Sequence, residues 1–417
     1  MTGRIQLRCE ERELKNGLCC IALQNPESST FAVSLSLAAS QIEEAENEHG
    51  LAYLTGSCLE EGTRRHTAIE LAEAVENIGG SLSTAAGSVT IQCPADEAAR
   101  AIRLVRTVGL EPAFDTRDVR RVQQEIASEI EADDADPRAV ARRDFRLGVF
   151  GSHPLGRPSY GDARTIAGFR AADLERFHRT WYAPRGAIVA ASGPAPVEET
   201  LDVLAKAFRS FRGVDGARKL PADPEMPGGR LESHVPMERE QVHVYLGHPG
   251  VRRSDPDFMP LLVMDHVLGT GPGFTSRVTR RLRDEMGLCY AVSASITQGA
   301  GLHPGAFTAY IGTSAGNRQR SIDVFLEEIR RIRSEPPNEQ ELQDVKEYLT
   351  GSYVFGLERN SNLVGYAIRA RRYGLGYDYI DRYPDEVRAV TREDVLRAAA
   401  AHLDAERVVI ASAGATA

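Results

Sequence analysis

The chain has 417 residues, of which 42% are hydrophobic and 26% are charged, and this composition indicates a globular protein rather than a disordered or collagen-like one. Lys and Arg together number 50 and Asp and Glu 59, so the formal net charge of −9 argues against a general nucleic-acid-binding protein. The length predicts two or three domains, and no stretch approaches the roughly 20 apolar residues that a membrane helix needs.

The N-terminal segment, residues 1–17, carries charged side chains along most of its length and has no apolar core. It therefore predicts a chain without a signal peptide, located in the cytoplasm. The cysteines include no Cys-x-x-Cys pair, so we expect neither structural disulfides nor a cysteine-based zinc site. They are Cys9, Cys19, Cys20, Cys58, Cys93 and Cys289.

Predicted strands and helices alternate in both halves of the chain, as the periods of their apolar residues indicate. In the first half the strands are 31–38 and 88–93 and the helices 66–78 and 95–108. In the second half the strands are 241–246 and 307–311 and the helices 258–268 and 318–333. This pattern predicts an α+β fold in which each mixed sheet is covered by helices on one side.

An internal repeat relates the two halves. Residues 173–193 align without a gap with residues 394–414, at an offset of 221, and each copy predicts a capped helix, a turn and a buried strand. Upstream, residues 115–126 resemble residues 338–349, and both predict amphipathic helices. The period is too long for a solenoid, so the repeat predicts two homologous domains of one fold.

The seam between the halves is residues 212–229, which are rich in Pro and Gly and have no apolar period. We therefore predict an N-terminal domain over residues 1–211, a linker over 212–229 and a C-terminal domain over 230–417. Each domain then has about 200 residues, which is within the usual size range.

One segment of the first domain resembles a known enzyme motif. Residues 49–63 read His-Gly-Leu-Ala-Tyr-Leu-Thr-Gly-Ser-Cys-Leu-Glu-Glu-Gly-Thr, which is similar to the signature segment of the M16 (pitrilysin/insulinase, mitochondrial-processing-peptidase-like) metallopeptidases. In that family Gly-Leu-Ala precedes His-x-x-Glu-His, an inverted zinc motif with two histidines on one helix face and a glutamate as general base. The corresponding residues here are Tyr53, Gly56 and Ser57, and none of them supplies an imidazole or a carboxylate.

Further segments extend the resemblance over nearly the whole chain, in the family's order and spacing. They are residues 77–82, 151–158, 268–278 and 281–290. The resemblance implies a two-domain, M16B-type chain with the M16/LuxS-like metallohydrolase fold. It also implies a third zinc-ligand position, a glutamate in a later helix, for which Glu129 is the best match and Glu125, one turn earlier, the second choice.

The histidines do not replace the lost ligands, because none of them forms a His-x-x-Glu-His or His-Glu-x-x-His motif. His49, just before the predicted motif helix, can donate at most one ligand, whereas a catalytic zinc ion needs three protein ligands and an open position. We therefore expect no zinc and no other cofactor in this chain, and we interpret Glu129 as a solvated helix carboxylate.

The resemblance also implies a pair of substrate-binding residues in the second domain, Arg283 and Tyr290. Residues 275–285 predict a helix that ends at Gly287, and a strand follows, so both side chains can point into one cleft. A guanidinium and a phenol are hydrogen-bond donors suited to a peptide carbonyl or to its tetrahedral oxyanion.

These observations predict a zinc-free subunit of an M16B-type peptidase. A partner chain with His-x-x-Glu-His, or a second copy, would complete the enzyme; the zinc and the general base are expected in the partner. This chain would supply Arg283, Tyr290 and half of a peptide chamber. Peptides would bind partly by strand addition at residues 80–87, which include Ser81, Leu82, Ser83 and Thr84. The alternative is a structural or peptide-binding scaffold without proteolysis, and the sequence leaves the substrate open.

Overall fold

The computed structural model describes residues 8–214, 221–271 and 275–416, so residues 215–220 of the predicted linker lie outside the described part of the chain. The strands of the described residues are β1 (Arg8–Glu13), β2 (Cys19–Gln24), β3 (Thr30–Ser36), β4 (Gly62–Thr63), β5 (His66–Thr67), β6 (Ser81–Ala85), β7 (Ser88–Pro94), β8 (Ile188–Gly193), β9 (Leu231–Pro236), β10 (Gln241–Pro249), β11 (Cys289–Ser295), β12 (Ala306–Ser314) and β13 (Val409–Gly414).

The α-helices of the same residues are α1 (Leu51–Ser57), α2 (Ala68–Glu76), α3 (Ala98–Leu110), α4 (Thr116–Ala135), α5 (Pro137–Phe150), α6 (Ala163–Gly168), α7 (Ala171–Trp181), α8 (Val197–Phe208), α9 (Phe258–Asp265), α10 (Arg318–Ser334), α11 (Glu339–Tyr353), α12 (Asn360–Tyr373), α13 (Tyr379–Ala389) and α14 (Arg392–His402). Two further segments, His266–Thr270 and Thr279–Glu285, are π-helical. In the part of the chain that the structure describes, no helix combines the length and the apolar character needed to cross a bilayer.

The chain forms two compact units, and each takes residues from both halves of the sequence. The first unit consists of Met1–Ile130, Pro158–Leu220 and Phe355–Asp381, and the second of Glu131–Arg157, Pro221–Val354 and Arg382–Ala417. The linear division into 1–211, 212–229 and 230–417 therefore differs from the compact units in two segments, one of which contains α5 and the other α12.

The first unit is built on a six-stranded mixed sheet with the strand order β1-β2-β8-β3-β7-β6. Strands β2 and β8 are parallel, and the other neighbours are antiparallel. Phe31, Val33 and Leu35 of β3 are buried in one apolar core together with Ile102 and Val105 of α3. This half of the predicted architecture, a sheet covered by helices, is confirmed.

The second unit contains a five-stranded mixed sheet with the order β11-β12-β10-β13-β9. Strands β13 and β9 are parallel, and the other neighbours are antiparallel. The predicted repeat is visible in this topology, because β8 and β13, which occupy equivalent places in the aligned segments, are each flanked by one parallel and one antiparallel neighbour. The prediction of two homologous α+β domains is therefore confirmed.

Helices cover both faces of each sheet, whereas the sequence predicted helices on one side only. In the first unit α12 packs against β3 and β8, and the Arg372 side chain of α12 donates a hydrogen bond to Ser36 Oγ at 2.8 Å. Ser34 and Ser36 alternate with the core residues of β3 and therefore face the opposite side. Polar residues at these positions predict a strand face exposed to solvent, and this is why the sequence predicted helices on one side only.

The same arrangement occurs in the second unit, where α5 packs against β10 and β13. Phe145 of α5 stacks on Tyr245 of β10, with ring centroids 6.0 Å apart. Gly148 of the same helix faces Val409, and a Cβ at Gly148 would overlap a methyl group of that valine. An apolar helix face predicts that the helix is buried but does not say which sheet buries it, and this explains the difference from the linear boundaries.

Candidate functional site

The segment that resembles the zinc motif folds as α1, in the first unit. Gly50 precedes the helix with φ of 89°, and a Cβ there would lie 2.5 Å from the carbonyl oxygen of Tyr160, so the position requires glycine. Leu51 and Leu54 are fully buried. The core therefore fixes the orientation of α1, and Tyr53 lies on its half-buried face.

Tyr53 and Glu129 are brought together by the fold. The Tyr53 hydroxyl donates a hydrogen bond to Glu129 Oε2 at 3.1 Å, and Glu129 lies on an exposed face of α4. Burial and the neighbouring carboxylate both raise the pKa of Tyr53. The alternative residue, Glu125, instead accepts a hydrogen bond from Arg121 at 2.5 Å. Of the two glutamates, Glu129 is therefore the one that contacts the motif helix.

Ser57, at the position of the second histidine, forms a hydrogen bond within its own helix. Its hydroxyl donates to the backbone carbonyl of Tyr53 at 3.0 Å, four residues earlier. This is the local hydrogen bond that serine commonly makes inside helices. The hydroxyl is therefore engaged with the backbone instead of being directed at a ligand.

Gly56, at the position of the general base, lies directly against the β6–β7 hairpin. A Cβ at Gly56 would lie 2.5 Å from the carbonyl carbon of Ala85 and closer still to the amide nitrogen of Ala86. Both are backbone atoms, so any side chain at position 56 would require the hairpin to move. By comparison with the zinc motif Gly56 is only a lost carboxylate, although a glycine inside a helical segment is itself a signal of close packing.

The predicted substrate strand is β6, and it lies at the edge of the sheet in the first unit. Its described strand partner is β7. Ser81 and Ser83 are exposed, Leu82 and Thr84 are half-buried, and Leu82 packs against the core. A strand at this position presents backbone donors and acceptors on its outer side, where another strand can pair.

Arg283 and Tyr290 are also brought together, in the second unit. Arg283 lies on the π-helical segment Thr279–Glu285, and the Tyr290 ring lies 5.3 Å from its guanidinium carbon. Strand β11 contains a bulge between Cys289 and Ala291, which leaves Tyr290 without a cross-strand partner and 85% exposed. The sequence predicted an α-helix here, but the apolar spacing does not distinguish α from π turns.

An ion-pair network holds the segment that carries Arg283. Arg277 donates to both carboxylate oxygens of Glu341, at 3.1 and 2.9 Å, and Arg280 donates to the same carboxylate at 3.2 Å. Burial alone would raise the pKa of Glu341, but these hydrogen bonds lower it to about 2. The carboxylate therefore stays ionised throughout the neutral range and fixes the π-helical segment to α11.

The residues on α1 do not fit a catalytic zinc ion. Tyr53 offers a phenol that is bonded to Glu129, Gly56 has no side chain, and the Ser57 hydroxyl is bonded to its own helix. Catalytic zinc sites use imidazole, thiolate or carboxylate ligands, three from the protein. This position therefore lacks the ligand set that the inverted zinc motif supplies.

One cluster among residues 8–214, 221–271 and 275–416 does bring three potential metal ligands within 4.8 Å of one another: Asp255, Asp257 and His402. It lies in the second unit. His402 Nε2 is 2.9 Å from one Asp257 oxygen, and Arg397 is 2.8 Å from the other. The central carboxylate of Asp257 is therefore already paired with the Arg397 guanidinium and hydrogen-bonded to the His402 imidazole.

The family follows from comparison with known sequences. Residues 20–163 match the profile described as "Insulinase (Peptidase family M16)", and residues 168–349 match the one described as "Peptidase M16 inactive domain". The chain belongs to the M16 peptidase family. It is 26% identical over 389 residues to an uncharacterized zinc protease of Mycobacterium leprae, covering 92% of this chain and 86% of that protein. It is 24% identical over 355 residues to the uncharacterized zinc protease YmxG of Bacillus subtilis, covering 84% of each.

Solved structures show the same fold. A peptidase M16 inactive domain from Pseudomonas fluorescens superposes with a TM-score of 0.92 at 24% identity, covering 99% of both chains. A protease from Helicobacter pylori gives a TM-score of 0.88 at 18% identity, covering 98% of this chain and 99% of that one. A chain of complex III from Candida albicans gives 0.79 at 16% identity, covering 97% of this chain and 95% of that one. The predicted M16-type fold is confirmed.

Proposed function

We propose that this chain is a zinc-free subunit of an M16-type peptidase and that a separate, zinc-bearing chain completes the enzyme. The observation that carries the proposal is the contrast between two sites. The α1 helix has Gly56 packed against the hairpin where the general base would be, whereas the second unit presents Tyr290 85% exposed beside Arg283. The first arrangement cannot activate water, and the second can still bind a carbonyl group.

The chemistry assigned to this chain is oxyanion binding. A peptide carbonyl that is attacked by water develops negative charge on its oxygen, and donors placed at that oxygen lower the barrier. The Tyr290 hydroxyl and the Arg283 guanidinium are both donors, and neither needs to lose a proton in this role. The zinc ion, the attacking water and the general base would belong to the partner chain.

Substrate capture is assigned in part to β6. An extended peptide can add to a sheet edge through backbone hydrogen bonds, which bind it without strict sequence selection. β6 is a regular strand with which a peptide can pair, because exposed Ser81 and Ser83 alternate with half-buried Leu82 and Thr84. Unfolded or short peptides fit this mode, because a folded substrate has few free strands to add.

The partner proposed for this chain is an M16 chain that carries His-x-x-Glu-His. A second copy of this chain can form the chamber but cannot supply the missing ligands, because it has the same tyrosine, glycine and serine at positions 53, 56 and 57. Co-expression with a His-x-x-Glu-His chain of the same genome, followed by size-exclusion chromatography and a fluorogenic peptide assay, tests the pairing. Activity that appears only in the mixed complex is the expected result.

The isolated chain gives the first test of the proposal. We expect elemental analysis of the purified protein to show well under one zinc per chain, and we expect no peptide cleavage, because no group on α1 is an effective zinc ligand. The control is the mixed complex, which should contain one zinc per partner chain. One zinc per isolated chain, lost together with activity on chelation, would contradict the proposal.

A scaffold without proteolytic function is the second candidate. The observation that favours it is the structural likeness to a chain of complex III from Candida albicans. The bonded Tyr53 and Glu129 agree with either role. The scaffold would be favoured if this chain forms a stable complex with the partner but the partner's peptidase activity is the same with and without it.

A further inference from the structure

The first unit contains a cleft that is distinct from α1 and β6. Its volume is about 470 Å³, within the range of small-molecule sites. The apolar part of its lining includes Leu110 at the end of α3, Pro112 and Phe114 in the segment that follows, and Phe211 after α8. None of the functions proposed above uses this cleft.

Three arginines line the cleft: Arg64, Arg179 and Arg212. Within the described residues, none of their guanidinium groups forms an ion pair or a side-chain hydrogen bond. Arginines close to them in the sequence do form ion pairs: Arg65 binds Glu111 at 2.8 Å, and Arg176 binds Glu48 at 2.8 Å. The arginines at the cleft therefore keep their donors available, while arginines beside them in the sequence do not.

An aromatic wall forms one side of the cleft. The rings of Phe114 and His178 meet edge to face with centroids 5.6 Å apart, and His178 stacks on Tyr182 at 4.3 Å. Burial lowers the pKa of His178 to about 4, so this imidazole is neutral at pH 7. Phe114 has φ of 49°, an unfavourable conformation for a bulky residue, and its ring lies in this wall.

We propose that this cleft binds a carboxylate attached to an aromatic group. Guanidinium groups bind carboxylates through paired hydrogen bonds. Phe114, His178 and Tyr182 line the same cleft, His178 half-buried and the other two buried, so an aromatic ring can pack against the part of this wall that faces the cleft. Glu175 is the acidic residue of the lining and reduces its charge to +2, which favours a single carboxylate over a polyanion. A free aromatic acid and the C-terminal phenylalanine of a peptide share this chemistry.

Titration of the full chain with defined ligands tests the proposal. The probes are 3-phenylpropionate and the peptide Ala-Ala-Phe with a free carboxylate, each compared with its amide. The fluorescence of Trp181, the one tryptophan of the sequence and the last residue of α7, reports binding, and calorimetry measures it independently. We expect saturable binding of the acids and at least about tenfold weaker binding of the amides. The tighter of the two acids identifies the source of the carboxylate.

Variants of the arginines make the test specific. Arg64→Gln, Arg179→Gln and Arg212→Gln are each expected to weaken binding of the acid about tenfold. Arg209→Gln is the matched control, because Arg209 is exposed and does not line the cleft, and it should leave the affinity unchanged. Thermal unfolding verifies that each variant is folded. Equal affinity for acid and amide, affinity unaffected by the three cleft variants, or no saturable binding up to about 10 mM would each overturn the proposal.

Discussion

The sheets of the two units share one topology over five strands. The order β2-β8-β3-β7-β6 in the first unit corresponds to β9-β13-β10-β12-β11 in the second, with the parallel pair in the same place. In both units a glycine of a helical segment packs against the outer edge strand or its hairpin, Gly56 at Ala85 and Gly269 at Ala294. Gly56 therefore has a structural role besides marking the lost general base: its contact with Ala85 corresponds to the contact of Gly269 with Ala294 in the second unit.

The two edge strands differ in what they present. In the second unit the bulge in β11 directs Tyr290 outward beside Arg283. In the first unit β6 pairs without a register shift, and Tyr53 of the adjacent helix is bonded to Glu129. The edge strand of the first unit is therefore regular, whereas that of the second unit is bulged and carries an exposed Tyr290.

The largest expected effect is on catalysis, from Tyr290→Phe in the active complex. The change removes one hydroxyl from an exposed ring, so the fold should be unaffected. If the hydroxyl donates to the oxyanion, kcat should fall by roughly 10²–10³, with a much smaller change in KM. Steady-state kinetics on a fluorogenic peptide measures both constants.

Tyr348→Phe is the control for that experiment, since Tyr348 is a 40% exposed tyrosine of the same unit. It should leave kcat within about twofold of the wild type. Arg283→Lys keeps the charge but loses the planar guanidinium, so it too should reduce kcat. If the Tyr290→Phe complex kept nearly full activity, the Tyr290 hydroxyl would have no role in catalysis, and the proposed difference in function between β6 and β11 would be wrong.

The next effect is on stability, from Gly56→Ala. The added methyl group would overlap backbone atoms of Ala85 and Ala86, which cannot move aside as a flexible side chain can. We expect the free energy of unfolding to fall by about 3 kcal/mol, measured by urea denaturation. Gly269→Ala should cost a similar amount if the two contacts are equivalent, because its Cβ would lie 2.5 Å from the carbonyl oxygen of Ala294.

Gly168→Ala provides the control for both glycines. Gly168 lies in α6, and a Cβ there meets no atom within 4 Å, so the free energy of unfolding should stay the same or rise by up to about 1 kcal/mol. An unchanged stability in Gly56→Ala would show that the hairpin can move, and the general-base position would then be open to a side chain.

The sequence predicted the fold class and the repeat, because both depend on local pattern. The pairing of Arg283 with Tyr290 was implied by the resemblance to the M16 family and not by the pattern of the residues themselves. It did not predict that α5 and α12 each pack on a sheet formed by the other half of the sequence, because amphipathic spacing identifies a buried face without identifying its partner. It also missed the close approach at Gly56. A glycine inside a predicted helix signals close packing, but it does not identify the backbone atoms of Ala85 and Ala86 that it packs against.

The two units also differ in the ion pairs of their equivalent helices, and this difference affects how stability depends on pH. In the second unit Glu341 of α11 binds Arg277 and Arg280, whereas in the first unit Arg121 of α4 binds Glu61, so the charges on the equivalent helices are reversed. The folded-state pKa of Glu341, about 2, lies below the ordinary value of 4.5. Its contribution is therefore complete above pH 4.5 and is lost as the pH falls from 4.5 towards 2.

We expect Glu341→Gln to lower the free energy of unfolding by about 2 kcal/mol at pH 6, after allowance for solvent screening, and by much less at pH 3. Urea denaturation at both pH values measures the difference. Glu339→Gln is the control, because Glu339 is an exposed residue of the same helix, and it should have little effect at either pH. A difference between wild type and Glu341→Gln that stays constant from pH 6 to pH 3 would show that the ionised carboxylate does not hold the π-helical segment.

The smallest expected effect comes from Tyr53→Phe, and it tests whether α1 retains any chemical role. The hydroxyl that is removed bonds to Glu129, whose side chain is exposed, so water can replace the lost partner on the carboxylate. We expect a loss of less than about 1 kcal/mol in the free energy of unfolding, and a double-mutant cycle with Glu129→Gln should give a coupling energy of the same small size. In the active complex the variant should keep the wild-type kcat, in contrast to Tyr290→Phe. If Tyr53→Phe lowered kcat as strongly as Tyr290→Phe, the degenerate motif would itself take part in the reaction, and the division of roles between the two units would be wrong.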